Sequence, residues 1–154
     1  MEQFLTGLSP ETLYKRFLTG LGHALPPGLA KQLLDPGVPG GSLLAFRDGV
    51  VVGHAMWAPV PSAEDPADMT TTVEIALVVA DAYQGHGLGS RLVDALVADV
   101  ARHGFAAVHA VISAENHVVR SMITRRVDDA RYARDGALIS VTADARSLAG
   151  GPES

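Results

Sequence analysis

Three glycines in five positions, Gly85, Gly87 and Gly89, lie between an apolar run and an amphipathic one. Residues 73–100 read VEIALVVADAYQGHGLGSRLVDALVADV, and the spacing predicts a strand, a glycine turn and a helix. The first N–H groups of a helix have no partner inside it, and its dipole favours an anion at that end. Glycine lets a backbone approach phosphate oxygens without a Cβ in the way. The chemistry offered is therefore phosphate binding, with the plainer alternative that the glycines only tighten a turn. The apolar run also carries one acid, Glu74. A carboxylate there is costly to bury unless it is paired or faces a cleft. A carboxylate in a cleft can remove a proton from a nucleophile, and one at a strand end can simply face solvent.

The glycine pattern is GxGxG, and neither the dinucleotide fingerprint GxGxxG nor the lysine of a nucleotide P-loop is present. Asn116 follows an apolar run and opens a helical pattern, where asparagine is a preferred N-cap. His54 falls on a strand, His86 inside the glycine turn, and His117 has no evident role. Arg120, Arg125 and Arg126 read as a solvated helix face that could also meet a phosphate.

The elements that must position these groups follow in order. Ser9-Pro10-Glu11 starts a helix whose apolar face holds Leu13, Phe17 and Leu18, ending near Gly20 and Gly22. A second short helix covers residues 28–34. Residues 42–47 and 50–58 form a hairpin turning at Asp48-Gly49. Residues 59–70 make a polar loop, a candidate substrate-facing segment. After the central strand, turn and helix, Gly104 stops the helix. A strand follows at 107–112, then a helix from Asn116, an ambiguous edge segment at 128–135 and a last strand at 137–143. The expectation is a single domain over residues 1–145 with a flexible tail at 146–154. Its class is α/β in the mixed α+β sense, an antiparallel meander leading into a β-α-β crossover.

The 154 residues, 47% hydrophobic and 19% charged, describe a folded chain. A net charge of -5 argues against nucleic acid as partner. With no cysteine, thiolate catalysis, disulfides and cysteine zinc sites are excluded, and no metal site is expected. No signal peptide or membrane-spanning run is read, so a cytoplasmic protein is the default.

Gln84-Gly85-His86-Gly87-Leu88-Gly89 resembles the Q/R-x-x-G-x-G/A motif of the GNAT superfamily of acyl-CoA N-acyltransferases, and the order of elements agrees over residues 42–126. The resemblance implies a mixed, mostly antiparallel sheet flanked by helices, and acetyl-CoA or a related acyl-CoA as cofactor. It implies that Gln84 belongs to the cofactor-binding set and that N–H groups from Gly85 through His86, Gly87, Leu88 and Gly89 to Ser90 hold the pyrophosphate. It further implies that Leu77, Val78 and Val79, beside a splay at a bulge, pair with the pantetheine arm, and that Asn116 bonds the cofactor. Leu8-Ser9-Pro10-Glu11-Thr12, with Tyr14, Arg16 and Phe17, resembles the first helix of bacterial Pat-type protein lysine acetyltransferase domains. In those domains a glutamate at the place of Glu74 is the catalytic base.

Three features depart from the family pattern. Its first strand is missing, which leaves a shorter sheet or an edge covered by a partner, so a homodimer is expected. The thiolate-protonating tyrosine is replaced by Ile123, with Tyr132 or water as substitutes, and Val127-Asp128 stands for a glycine-phenylalanine pair. The expected function is transfer of an acetyl group from acetyl-CoA to a primary amine, a protein lysine or, alternatively, a small molecule. A catalytically degenerate acyl-CoA-binding module is the reading from another class.

Overall fold

The computed structural model describes residues 1–19, 25–37, 39–62 and 64–149. Six strands form one sheet: β1 (Gly41–Arg47), β2 (Val50–Val60), β3 (Thr72–Val79), β4 (Ala107–Ser113), β5 (Arg131–Asp135) and β6 (Leu138–Asp144). Their order is β1-β2-β3-β4-β6-β5, and only β3 and β4 run parallel. The helices are α1 (Glu2–Thr6), α2 (Pro10–Phe17), α3 (Leu29–Leu34), α4 (Leu88–Arg102), α5 (His117–Arg126) and α6 (Ala145–Ala149), with a 3-10 turn at Asp81–Tyr83. The mixed, mostly antiparallel sheet flanked by helices is the architecture expected from the sequence.

Alternation along β3 assigns the two faces. Val73 and Val79, with Ala55 and Trp57 of β2, meet Leu92, Val93, Leu96, Val97 and Val100 of α4. The four-residue spacing of Leu88, Leu92, Leu96 and Val100 therefore becomes one buried stripe. Val78 and Met56 turn the other way, against Phe4, Leu5 and Leu8 and against Leu13, Phe17 and Leu33. Asp48 and Gly49 turn the β1–β2 hairpin with φ of 50° and 77°, the left-handed pair that a two-residue hairpin demands.

Several boundaries differ from the sequence reading. A helix, α1, precedes α2, and among the described residues no strand lies outside β1. α2 ends at Phe17 because Leu18 takes a left-handed φ of 57° and its N–H closes on the Tyr14 carbonyl at 2.7 Å; Gly20 and Gly22 lie outside the described residues. β2 runs to Val60, two residues past its expected end and into the expected loop. The ambiguous segment resolves into β5, an exposed edge strand. Residues 146–149, expected to be flexible, continue α6, whose Ala145 and Leu148 are buried against the α4 core. Residues 150–154 of that tail are outside the described set.

Candidate active site

The parallel ladder between β3 and β4 is short. It joins Thr72 to Ala107, Val73 to Val108 and Glu74 to His109, and stops. Beyond that point β3 stays paired with β2 through Val79, and β4 stays paired with β6 through Ser113. The two halves of the sheet diverge and leave a wedge with strand edges facing one another unpaired. The expected bulge in β3 is not there: the β2–β3 register is unbroken, and the one shift lies between Ala45 and Phe46 at the far edge. The splay comes from β4 leaving β3.

The wedge is a cleft partly open to solvent. Ile75, Ala76 and Leu77 form one wall and His109 to Ile112 the other, while α5 contributes Asn116 and Met122 and α2 contributes Arg16. Leu77 lines it. The Val78 and Val79 side chains are buried in the cores on opposite faces of the sheet.

In the turn before α4, Gly85 and Gly87 adopt φ of 76° and 83°, with open space where a Cβ would stand. Conformation, not crowding, selects glycine there. Gly87 is the N-cap of α4 and has no side chain to cap it, so the first-turn N–H groups are left for a ligand or water. Gly89 differs: a Cβ there would make ordinary contacts with Leu77 and Val79. His86 is exposed in the turn. The Gln84 amide is committed elsewhere, donating to the Val79 carbonyl at 3.0 Å and to Thr12 Oγ1 at 3.1 Å. Its side chain ties the glycine turn to the end of β3 and to α2. Asp81 completes that tie by accepting from Ser9 N at 3.0 Å, Ser9 Oγ at 2.6 Å and Thr12 Oγ1 at 2.8 Å. Burial opposes ionisation of Asp81, but these bonds outweigh it and hold the carboxyl below its ordinary range.

Asn116 is both N-cap and cleft residue: Oδ1 accepts from Val119 N at 3.3 Å, and the side chain lines the wedge. Of the three arginines read as a solvated face, Arg126 departs from that reading. Its guanidinium is largely buried, lines the cleft, bonds the Ser90 carbonyl at 3.3 Å and pairs with Asp94, fastening α5 to the first turns of α4. Arg120 bonds the Ala114 carbonyl at 3.2 Å. His54 is a core residue, 0% exposed, with Nε2 donating to the Leu33 carbonyl at 3.0 Å and lying 3.0 Å from Ser42 Oγ. Tyr132 stands exposed on β5, away from the cleft walls.

Glu74 sits where the ladder ends. Its carboxylate is half exposed, and His109 Nδ1 lies 3.7 Å from Oε2. His109 chiefly, opposed by partial burial and aided by the more distant Arg16, holds the Glu74 carboxyl below the usual range. Burial pushes Arg16 down to about 10, while the negative Glu74 pulls it back. The Arg16 Nε is buried without a hydrogen-bond partner among the described residues, Nη2 lies 3.3 Å from Met56 Sδ, and the guanidinium stands 4.7 Å from the Phe17 ring centroid. The sequence reading missed His109. Its signal was a lone polar side chain in an apolar strand, the same signal that marked Glu74, but only the β3–β4 register puts the two together.

Known proteins share the fold and the family pattern of this chain. A model of the acetyltransferase (GNAT) family matches residues 11–127. An acetyltransferase of Pseudomonas aeruginosa is 32% identical over 127 residues; the match covers 78% of this chain and 63% of that protein, so the chain spans less than two thirds of that relative's length. The GNAT domain of S. lividans PAT has the same fold, with a TM-score of 0.79 at 20% identity over 92% of this chain and 81% of that one. yncA of Salmonella typhimurium, a putative acetyltransferase solved with its cofactor acetyl-CoA, gives a TM-score of 0.55 at 25% identity over 75% of this chain and 68% of its own. With the family model spanning most of the chain, from α2 through the wedge and glycine turn to the end of α5, the protein belongs to the acetyltransferase (GNAT) family.

Proposed function

We propose that the protein transfers the acetyl group of acetyl-CoA to a primary amine, and that the acceptor is a protein lysine. One observation carries the reading: a glycine turn that leaves the first N–H groups of α4 uncapped by a side chain, a wedge of unpaired strand edges and a carboxylate at the last rung of the ladder follow one another along β3 and α4. The residues fit an acyl-CoA. Backbone N–H groups from Gly85 to Ser90 meet the pyrophosphate, and Gln84 holds that turn in place. The edge at Leu77, Val78 and Val79 meets the amides of the pantetheine arm as an added strand would, and Asn116 closes the opposite side.

The thioester then lies toward the apex. The amine attacks its carbonyl, a backbone N–H on the free edge of β3 steadies the oxyanion, and Glu74, directly or through water, receives the proton. No cysteine exists for a thioester intermediate on the enzyme. The lysine acceptor rests on the Pat-like helix, where Ser9 caps α2 and Arg16 reaches the cleft. The outer edge of β1 suits pairing with a second copy, and sedimentation velocity reads that homodimer directly.

A non-catalytic acyl-CoA sensor is the second reading, favoured by the lack of tyrosine among the cleft-lining residues. A thermal shift with acetyl-CoA, followed by a thiol-release screen over lysine-bearing proteins and polyamines, separates the two. Release that depends on an amine supports the enzyme. A shift without release supports the sensor.

A further inference from the structure

The proton removed from the acceptor amine has two candidate destinations at the apex, and their geometry distinguishes them. Glu74 pairs in register with His109 across the last rung of the parallel ladder, so both side chains leave the same face. Oε2 of Glu74 lies 3.7 Å from Nδ1 of His109, and His109 lines the cleft. Among the described residues, Nε2 of His109 has no hydrogen-bond partner. A carboxylate beside Nδ1 favours the tautomer with its proton there, which leaves a lone pair on Nε2.

We propose that His109 is the catalytic residue that takes the amine proton on Nε2, with Glu74 as the carboxylate that sets its tautomer and stabilises its cation. The inference rests on the acetyltransferase reading and changes the final proton acceptor within it. As the nitrogen–carbonyl bond forms and the carbon–sulfur bond breaks, one proton passes from nitrogen to Nε2. The imidazolium then yields that proton to the departing thiolate. No net proton is gained or lost by the enzyme. The depressed carboxyl of Glu74 agrees with this division: it stays ionised and is the weaker proton acceptor. The other charged groups lining the cleft are Arg16 and Lys15 on α2 and Arg126 on α5, the last paired with Asp94, while β6 opposes His109 with neutral Thr142.

Two measurements test the assignment. In nitrogen-15 spectra of the ring, the neutral histidine should carry its proton on Nδ1, and Glu74→Ala should move the population toward the Nε2–H form. A neutral ring already protonated on Nε2 in the wild type overturns the proposal, whatever the activity. In thiol-release kinetics, His109→Gln should lower kcat by roughly 100-fold or more while KM for acetyl-CoA stays within about threefold. The rate that remains should keep rising with pH as the amine loses its proton unaided. An unchanged kcat and pH profile in a folded His109→Gln, in a preparation whose wild type acetylates amines, overturns the role of His109 and leaves the acetyltransferase reading standing. A wild type that binds acetyl-CoA but acetylates no amine defeats both.

Discussion

His54 shows how one residue links the fold to pH. It is fully enclosed, and burial pushes its pKa from 6.5 down to about 4, partly offset by the Leu33 carbonyl, with the positive Arg16 adding to the fall. The unfolded chain therefore takes up a proton in the window between these values while the folded chain does not. Stability is fully present above the ordinary histidine range and is lost as pH falls toward 4. From pH 7 to pH 5 this one group should cost about 2 kcal/mol. Urea unfolding at the two pH values should show that loss, and His54→Gln should flatten it. Gly87 gives a second prediction at the same scale. Its φ of 83° opposes any Cβ although no atom stands in the way. Gly87→Ala should cost about 1–2 kcal/mol from conformation alone, lowering the Tm and weakening acetyl-CoA binding in calorimetry.

At the scale of elements, two contacts hold pieces that bear on the site. Asp81 joins the turn after β3 to the start of α2 by three hydrogen bonds. Asp81→Ala leaves Ser9 and Thr12 without that acceptor and should destabilise by about 1–3 kcal/mol. Hydrogen exchange should rise first in α2, which carries Arg16 to the cleft. Leu148 anchors α6 in the α4 core at 5% exposure, and Leu148→Ala should cost about 2–5 kcal/mol in denaturant unfolding. These elements were unequally legible in the sequence. The β1–β2 hairpin was readable because Asp-Gly meets a backbone requirement that few pairs satisfy. α4 was readable because its stripe repeats over four turns. α6 was not, since five residues are too few to show a periodic pattern; its only local signal is Asp144, whose Oδ1 accepts from Arg146 N at 2.7 Å and Ser147 N at 3.4 Å, and the helix depends on packing against α4. Gln84 was read as a ligand contact from its place in a motif, yet its side chain spends its donors on Thr12 and Val79. The pairing of Glu74 with His109 is a fact of strand register, and nothing local in either segment encodes it.

Across the whole molecule, the sheet is two ladders that share only three rungs, and the cleft is the space where they part. α4 and α6 hold one face, α1 to α3 the other, and α5 closes the wedge, so the opening depends on every layer at once. Among the described residues no helix is long and apolar enough to cross a membrane. Along the chain a glycine turn opening α4 follows one end of β3, and Glu74 stands at the last rung of the parallel ladder toward the other; the proposal of an acetyl-transfer site stands on that order. The most direct measurement is amine-dependent release of CoA thiol from acetyl-CoA, compared between the wild type and Glu74→Gln, with a lysine-bearing protein and polyamines as acceptors. The account predicts release by the wild type, and a fall of roughly 100-fold in Glu74→Gln with acetyl-CoA binding retained. Equal rates in the two proteins, or no amine-dependent release from a wild type that binds acetyl-CoA, would contradict it.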